Sequence, residues 1–374
     1  MLDARVRAEH GKAAYSDTAA SQLAAVEKIF GEPSDTGLAA KLQSFWTAWG
    51  TLGNNPDSTS ARALLLSSAD GVAATLHTLS GSLGASGSDV SASLADDLAQ
   101  ANTAAQRLAT VNAQVAVGAA TGQNVNALLD QRDQALTTLS SLVGAQATIA
   151  PNGTASVSVA GQPLVGPGVV STLTLDSSHQ VSVGGSPVSL TSGSAAARVT
   201  ALVTTLPGYQ ARLDAVANAL AAAGNAIQAA GYDSAGAPGT ALFSGAGAAG
   251  ITVAITDPAA LAAASTPGRS LDGSNAVAGS QYGGRASSPD IAYAGLVGDA
   301  GAASAAADQA QQTQAAVAGN VDALKASVSG VSYDEELSTM LTYQHAFSAS
   351  SRVLTTIDQM LDTLINHTGV VGQA

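Results

Sequence analysis

The chain has 374 residues, of which 46% are hydrophobic and only 3% aromatic, so its core must be filled largely by alanine and other aliphatic side chains. Its formal net charge of −13 at pH 7 argues against a nucleic-acid partner, because phosphate-binding surfaces need clustered Lys and Arg. The sequence contains no cysteine, which excludes disulfides, thiolate nucleophiles and cysteine-ligated zinc.

The N-terminal part of the sequence has the periodicity of α-helices. Apolar residues recur at helical spacing from residue 13 to residue 30, and a second helix follows that carries Trp46 and Trp49. Both tryptophans are expected in the core or in a subunit contact rather than in a ligand site. A third helix is predicted to have Pro56 just inside its start, where a missing N–H costs least. Three glycines are expected to loosen or end this helix, namely Gly81, Gly84 and Gly87.

Further helices precede a change of periodicity. Apolar residues alternate spacings of three and four, with one exception, from residue 90 to residue 117, and another helix is predicted from 124 to 144. Between residues 147 and 190, small polar and apolar residues alternate instead, and glycine-rich turns separate the alternating stretches. This pattern predicts a small antiparallel β subdomain inserted into a helical protein.

The uncharged run from residue 134 to residue 175 does not predict a membrane span. Pro151, Pro163 and Pro167 interrupt it, and such residues would break a spanning helix. No insertion into a membrane is therefore expected.

Helical spacing returns between residues 195 and 230, with a candidate kink at Pro207 and an end at Gly231. A loop follows, then the strand-like stretch "ITVAIT" and a short helix at residues 257 to 265. The helical pattern resumes at Ile291 and shows coiled-coil spacing from residue 317 to residue 328.

The predicted fold class is mainly α with a small β insertion, as an elongated antiparallel helical bundle or coiled coil plus a small antiparallel β subdomain. Five regions are expected: part of a helical bundle (1–146), the small β subdomain (147–192), a helix returning to the bundle (193–232), a loop-rich segment with a short strand (233–289), and C-terminal helices with a coiled-coil seam (290–374).

The last predicted helix, between residues 332 and 367, carries a long apolar seam. Two series of residues repeat every seven positions, and the second series lies three residues after the first. These series are Met340, Phe347, Leu354 and Leu361, and Tyr343, Ser350, Ile357 and Leu364. A single helix with such a seam is marginal in water, so the helix is expected to pack against a partner. The predicted assembly interface consists of Met340, Tyr343, Phe347, Leu354, Ile357, Leu361 and Leu364.

The start of this helix has a capping signal. Ser332 and Glu335 have the spacing of a capping box, and Asp334 and Glu336 add negative charge at the positive end of the helix dipole. The acidic residues are interpreted as caps rather than as an acid–base pair, because adjacent residues of a helix do not face one another.

Other candidate sites are weaker. Gly245, Gly247 and Gly250 form a G-x-G-x-x-G motif, but it precedes a strand-like stretch instead of following one, so a loop is predicted rather than a dinucleotide site. The five histidines lack metal-ligand spacing, and they are His10, His77, His179, His345 and His367. No catalytic residue, cofactor or metal is therefore predicted.

The stretch from residue 329 to residue 369, "SGVSYDEELSTMLTYQHAFSASSRVLTTIDQMLDTLINHTG", resembles the C-terminal signature of the flagellar hook-associated protein 1 family (FlgK type), whose members form the hook–filament junction. Three further stretches agree with the family in order and spacing. They are "NNPDSTSAR", "LLDQRDQALTTLSSLVG" and "LDAVANALAAAGNAIQAAGYDSAGAPGTALF".

The resemblance implies a structural, non-enzymatic component of the bacterial flagellum. Such a protein is exported without a cleaved signal peptide and assembles outside the cell by helix–helix packing of its terminal segments. The partners that it implies are a ring of like subunits, the hook protein, the second junction protein next to the filament, and an export chaperone that binds the C-terminal helix.

The sequence departs from the family pattern in two respects. The family opens with a further N-terminal helix and an Asn-Thr-Pro-Gly-Tyr type motif, which do not occur here, so we expect this chain to lack that segment. Only short segments stand where relatives carry larger outer β domains. The alternative to the junction protein is a secreted surface protein, such as an adhesin, whose helical stalk presents the β subdomain, and an enzyme is least favoured.

Overall fold

A computed structural model describes residues 1–329 and 333–367 of the chain. The chain divides into two compact units, Met1–Gly319 and Asn320–Ala374. The prediction of a mainly α fold with a small β insertion is confirmed. The boundaries of the five predicted regions stay a prediction.

The first unit is built from long helices and three short ones. They are α1 (Leu2–Phe30), α2 (Leu38–Asn54), α3 (Thr59–Thr121), α4 (Asn126–Val143), α5 (Ser194–Thr200), α6 (Leu206–Ala229), α7 (Gly247–Gly250), α8 (Ser274–Ser280) and most of α9 (Pro289–Ser329). The alternating stretch of the sequence lies between α4 and α5, and it forms strands.

The strands form three small antiparallel sheets. The first sheet has the order β1 (Gln146–Ile149), β2 (Ala155–Val159), β3 (Gln162–Gly166) and β4 (Val169–Val170). The second has the order β5 (Leu173–Leu175), β6 (Val181–Val183) and β7 (Ser186–Pro187), and the third pairs β8 (Phe243–Ser244) with β9 (Thr252–Val253). In β2, residues 155, 157 and 159 are buried, as the period of two requires for a sheet with one face against the core.

The helix α3 differs from its prediction because it continues unbroken for 63 residues. The predicted end of the helix at the three glycines is wrong, whereas the predicted loosening stays a prediction. Buried residues such as Leu79 and Val90 continue the apolar stripe on both sides of the glycines, and this packing outweighs a helix-propensity cost of about 1 kcal/mol per glycine. The helix also begins later than predicted, after Pro56, with Ser58 Oγ accepting a hydrogen bond from the N–H of Ala61 at 3.2 Å.

Other element boundaries differ as well. The helix α1 begins at Leu2 instead of near residue 13, because Val6 and Gly11 pack inside the unit. The predicted strand at residues 251–256 contains only the two residues of β9, and the predicted helix at 257–265 is a single 3₁₀ turn, Pro258–Ala260.

An aromatic cluster lies in the first unit between α2 and the β8–β9 pair. The Phe45 ring centroid lies 4.8 Å from that of Trp46, 6.3 Å from that of Trp49 and 5.9 Å from that of Phe243. Both tryptophans are buried, as a core position requires. Because aromatic residues are scarce in this chain, the cluster concentrates them where α2 meets the β8–β9 hairpin.

The second unit contains the end of α9 and the helix α10 (Tyr333–Asp362), which a π-helical turn, Thr363–His367, follows. Within the described residues, no helix is both long and apolar enough to cross a membrane.

Candidate functional site

The apolar seam of α10 is the main candidate site. Residues seven apart lie on one side of a helix, because seven residues make nearly two turns. The seven predicted interface residues are all exposed, and they are Met340, Tyr343, Phe347, Leu354, Ile357, Leu361 and Leu364. Phe347 is 75% exposed and Tyr343 is 73% exposed, so most of the surface of two large aromatic residues is open to solvent. We call these seven residues the α10 seam.

Further apolar residues border the α10 seam. Val353 and Met360 follow one edge at a spacing of seven, and Leu337 and Ile365 lie on the other, and all four are exposed. The apolar face is therefore wider than a two-stranded coiled-coil seam needs, and a helix with such a face is typical of bundles with several neighbours.

The predicted cap of α10 remains a prediction. Ser332 and the side chain of Glu335 lie outside the described residues, as do the side chains of Asp334 and Glu336. The helix does begin at Tyr333, directly after the predicted cap position.

The first unit contains one buried ionic cluster, which ties α5 to α3. Ser194 Oγ donates a hydrogen bond of 2.6 Å to Asp97 Oδ2, and the Arg198 guanidinium donates to the same oxygen. Burial raises the pKa of Asp97 above its ordinary value, while the hydrogen bond from Ser194 and the charge of Arg198 oppose that rise. Because both partners are committed to this carboxylate, the cluster is a structural contact.

The glycine motif connects β8 to β9 through the single helical turn α7, so the predicted loop is only partly correct, and the backbone donors of the motif are already occupied. The N–H of Gly247 donates to Asn218 Oδ1 at 2.9 Å, and the N–H of Ala248 donates to Asp214 Oδ1 at 2.7 Å. A side chain on Gly245, whose φ is +80°, would collide with the backbone oxygen of Gly250. The amide groups that would bind a phosphate thus bind side chains of α6 instead.

A second polar contact was not anticipated from the sequence. Trp46 Nε1 donates to Asp290 Oδ2 at 2.8 Å, and the Trp46 ring stacks on Tyr282 with centroids 6.0 Å apart. The Arg285 guanidinium carbon lies 4.5 Å from the centroid of Tyr282. Burial raises the pKa of Asp290, and the indole hydrogen bond opposes this rise. No sequence signal links Trp46 to Asp290, because 244 residues separate them.

The acidic and histidine side chains do not converge on a metal site. In residues 1–329 and 333–367, no three His, Asp or Glu side chains are grouped to hold a metal ion. His77 makes a 2.7 Å hydrogen bond to the carbonyl of Ile251 and so joins α3 to the segment before β9.

These observations define a class of protein. A helix with an exposed heptad face, in a chain whose buried polar clusters are used in packing, is typical of a structural protein that assembles through helix–helix contacts.

Comparisons with known proteins identify the family. The model of the flagellar hook-associated protein FlgK helical domain matches residues 23–243, and that of the flagellar basal body rod FlgEFG protein C-terminal region matches residues 326–367. The first match covers more than half of the chain, which therefore belongs to the FlgK family of flagellar hook-associated proteins.

Individual relatives support the same family assignment. Flagellar hook-associated protein 1 of Bacillus subtilis is 28% identical over an alignment that covers 100% of this chain and 84% of the relative. The protein of the same name from Salmonella typhimurium is 28% identical over 42% of this chain and 28% of its own length. The solved structure of the flagellar hook junction protein FlgK from Burkholderia pseudomallei matches 88% of this chain and 100% of its own with a TM-score of 0.78. At 18% identity, that likeness shows the fold.

The family resemblance predicted from the sequence is confirmed, and it favours the flagellar protein over the adhesin. Membership of a structural family is consistent with the prediction that the chain is not an enzyme. It also identifies the chain as an extracellular component of the flagellum.

Proposed function

We propose that this structural protein of the hook–filament junction joins its neighbours by packing the α10 seam against equivalent helices of other subunits. The observation that carries the proposal is the exposure of seven heptad-spaced apolar side chains on one helix. The match of residues 326–367 to the C-terminal region of flagellar basal body rod proteins supports it.

The energetics favour burial of the α10 seam. Covering one large aliphatic or aromatic side chain contributes about 1.5–3 kcal/mol, and the seam offers seven such residues. Most of the stability of a helix in a protein comes from packing its apolar face rather than from intrinsic helix propensity, so we expect the helical state of α10 to depend on burial of the seam. Assembly and ordering of α10 are therefore expected to occur together.

The partners that we propose follow from the seam and the family. In the assembled junction, a ring of like subunits, the hook protein on one side and the second junction protein on the other provide helices that cover it. Before assembly, an exposed apolar face of this size favours aggregation, so an export chaperone covers the C-terminal helix inside the cell. Export proceeds without cleavage of a signal peptide.

Deletion of residues 332–367 tests the proposed function. A cell that carries only the deleted protein is expected to form hooks without attached filaments and to lose swimming, because the subunits have no seam to bury. The far-UV circular dichroism of the purified variant shows whether the first unit is still folded. Normal filaments and swimming would contradict the junction mechanism, whereas loss of surface attachment with intact swimming would support the adhesin.

A further inference from the structure

The middle of α3 is its weakest part. Between residues 80 and 89, all of which the structure describes, Leu83 is the only buried side chain. The same stretch carries Gly81, Gly84 and Gly87 at a spacing of three. A methyl group added at Gly81 or Gly84 would meet no atom within 4 Å, so packing does not require glycine there. Each glycine weakens the helix relative to alanine without a gain in contacts.

The start of α6, which lies beside the middle of α3, is also weakened. Pro207 has no N–H to donate to the carbonyl of Val203, and its ring displaces that carbonyl. The backbone responds with a π-helical turn, Ala201–Thr205, in which the N–H of Leu206 donates to the carbonyl of Ala201. Such turns are sites where helices bend. Gly208 follows directly and adds a second residue of low helix propensity.

The two weak segments lie side by side. Ser80 Oγ donates a hydrogen bond of 3.2 Å to Gln210 Oε1. A methyl group added at Gly87 would lie 3.8 Å from Leu206 Cδ1, an ordinary contact distance. The glycines of α3 and the π-helical turn before α6 therefore occupy the same level of the first unit.

Tight packing lies on either side of this level. Toward the start of α3, Arg62 Nη1 donates to the carbonyl of Leu261 at 2.7 Å, and the aromatic cluster fills the interior. Toward its end, Asn102 Nδ2 donates to the carbonyl of Leu173 at 2.9 Å and fixes the second sheet. We call the packed region around Arg62 the first end of the unit and the packed region around Asn102 the second end.

The helix α1 crosses the same level without a break. Its Gly11 carbonyl accepts a 2.8 Å hydrogen bond from the N–H of Gly193 at the second end, and Phe30 packs on Tyr209 with ring centroids 6.0 Å apart.

The helix α9 also passes this level unbroken, since Asp299 accepts a hydrogen bond from Arg212 of α6 and Gln314 donates one to Glu9 of α1. Two intact helices therefore accompany the two weakened ones.

We propose that residues 80–89 of α3 and residues 201–208 before and within α6 form a hinge, about which the first end and the second end of the unit tilt relative to each other. The hinge does not depend on the role of α10. The flexible residues lie in two adjacent helices. The angle between the first end and the second end can therefore change while both ends keep their packing.

Amide hydrogen exchange of the full chain tests the hinge. Residues 80–90 are expected to exchange faster than residues 65–76 and 98–108 of the same helix. The triple variant Gly81→Ala, Gly84→Ala and Gly87→Ala is expected to slow exchange in residues 80–90 by about ten- to a hundredfold, because alanine removes the entropic cost of each glycine. The matched control is Gly71→Ala, which fills open space in the same helix away from the hinge.

Distances between spin labels provide the second measurement. Because the sequence has no cysteine, two introduced cysteines are the only labelling sites. The pair Ser44→Cys and Asp130→Cys spans the hinge, and the pair Ser44→Cys and Asp70→Cys lies within the first end. The spanning pair is expected to show the broader distance distribution, which narrows to the width of the control pair in the triple glycine variant and in Pro207→Ala.

Two results would overturn the hinge. One is exchange in residues 80–90 as slow as in the flanking turns of α3. The other concerns the distance distribution of the spanning label pair. The hinge is also overturned if this distribution is already as narrow as that of the control pair, or if the triple variant and Pro207→Ala change its width no more than Gly71→Ala does. The Pro207→Ala variant keeps the test valid if the triple glycine variant fails to fold.

Discussion

The substitution Phe347→Asp places a carboxylate at the centre of the α10 seam. Phe347 is 75% exposed in the chain, so most of its burial is gained only when the helix meets a partner. The substitution is therefore expected to leave the first unit folded and to remove a favourable contact from each subunit interface.

The size of the effect follows from two contributions. Burial of a phenylalanine side chain contributes about 1.5–3 kcal/mol, and an aspartate without a partner in an apolar contact costs about 1–3 kcal/mol more. The sum corresponds to a loss of at least about fiftyfold in affinity at each interface, since each 1.4 kcal/mol is tenfold. In an assembly that repeats the contact in every subunit, this loss is expected to prevent junction formation.

The matched control is Ala349→Asp. Position 349 is two residues farther along α10 and lies about 200° around the helix from Phe347, and it is also exposed. Both variants introduce the same charge into the middle of one helix. The control loses more helix propensity, because alanine is the best helix former, so an effect of helix propensity alone would be at least as large in Ala349→Asp. Only Phe347→Asp places that charge on the α10 seam.

Sedimentation of the purified variants and swimming of cells that carry them are the assays. We expect Ala349→Asp to self-associate and support swimming as the parent chain does, and Phe347→Asp to do neither. Normal assembly of Phe347→Asp would refute the α10 seam as the interface. Equal loss in both variants would show that helix stability, not the seam, controls assembly.

Two further predictions concern the first unit. Trp46→Phe keeps the aromatic contacts but removes the hydrogen-bond donor to Asp290. Urea unfolding is expected to show that the free energy of unfolding falls by about 1–2 kcal/mol. Carbon NMR titration is expected to show a further rise in the pKa of Asp290, because the indole hydrogen bond no longer opposes it. An unchanged pKa would contradict the role of that hydrogen bond. Arg198→Met leaves the buried Asp97 charge without its cation and is expected to cost about 3 kcal/mol or more at pH 7. Because the pKa of Asp97 is raised in the folded chain, protonation of Asp97 favours folding. The decrease in the free energy of unfolding caused by Arg198→Met should therefore become smaller as the pH falls from about 7 to about 4. A loss that does not change with pH would contradict this account.

Local patterns predicted the helices and the β insertion well where one periodicity dominates. The heptads between Met340 and Leu364 define a single apolar face, and the alternation in β2 defines a buried side, because both follow from backbone geometry alone. Element ends were less predictable. The glycines of α3 carry a strong local signal for interruption, but the stripe through Leu79 and Val90 keeps the helix continuous.

Contacts between residues far apart in the sequence could not be predicted from its patterns. Trp46 meets Asp290, and Asp97 meets Ser194 and Arg198, only because the folded helices bring them together. The occupied donors of the glycine motif at residues 245–250 also depend on the position of α6.

The amino-acid sequence by itself determined that the chain is mainly helical, that it belongs with the flagellar hook-associated proteins, and that its last helix carries an apolar seam. The helical content and the seam depend on residue order along one element, which periodicity expresses directly, whereas the family was inferred from the resemblance of four sequence stretches. Only the tertiary structure decided that α3 runs through its glycines beside the π-helical turn before Pro207, because such a juxtaposition depends on packing between segments more than a hundred residues apart.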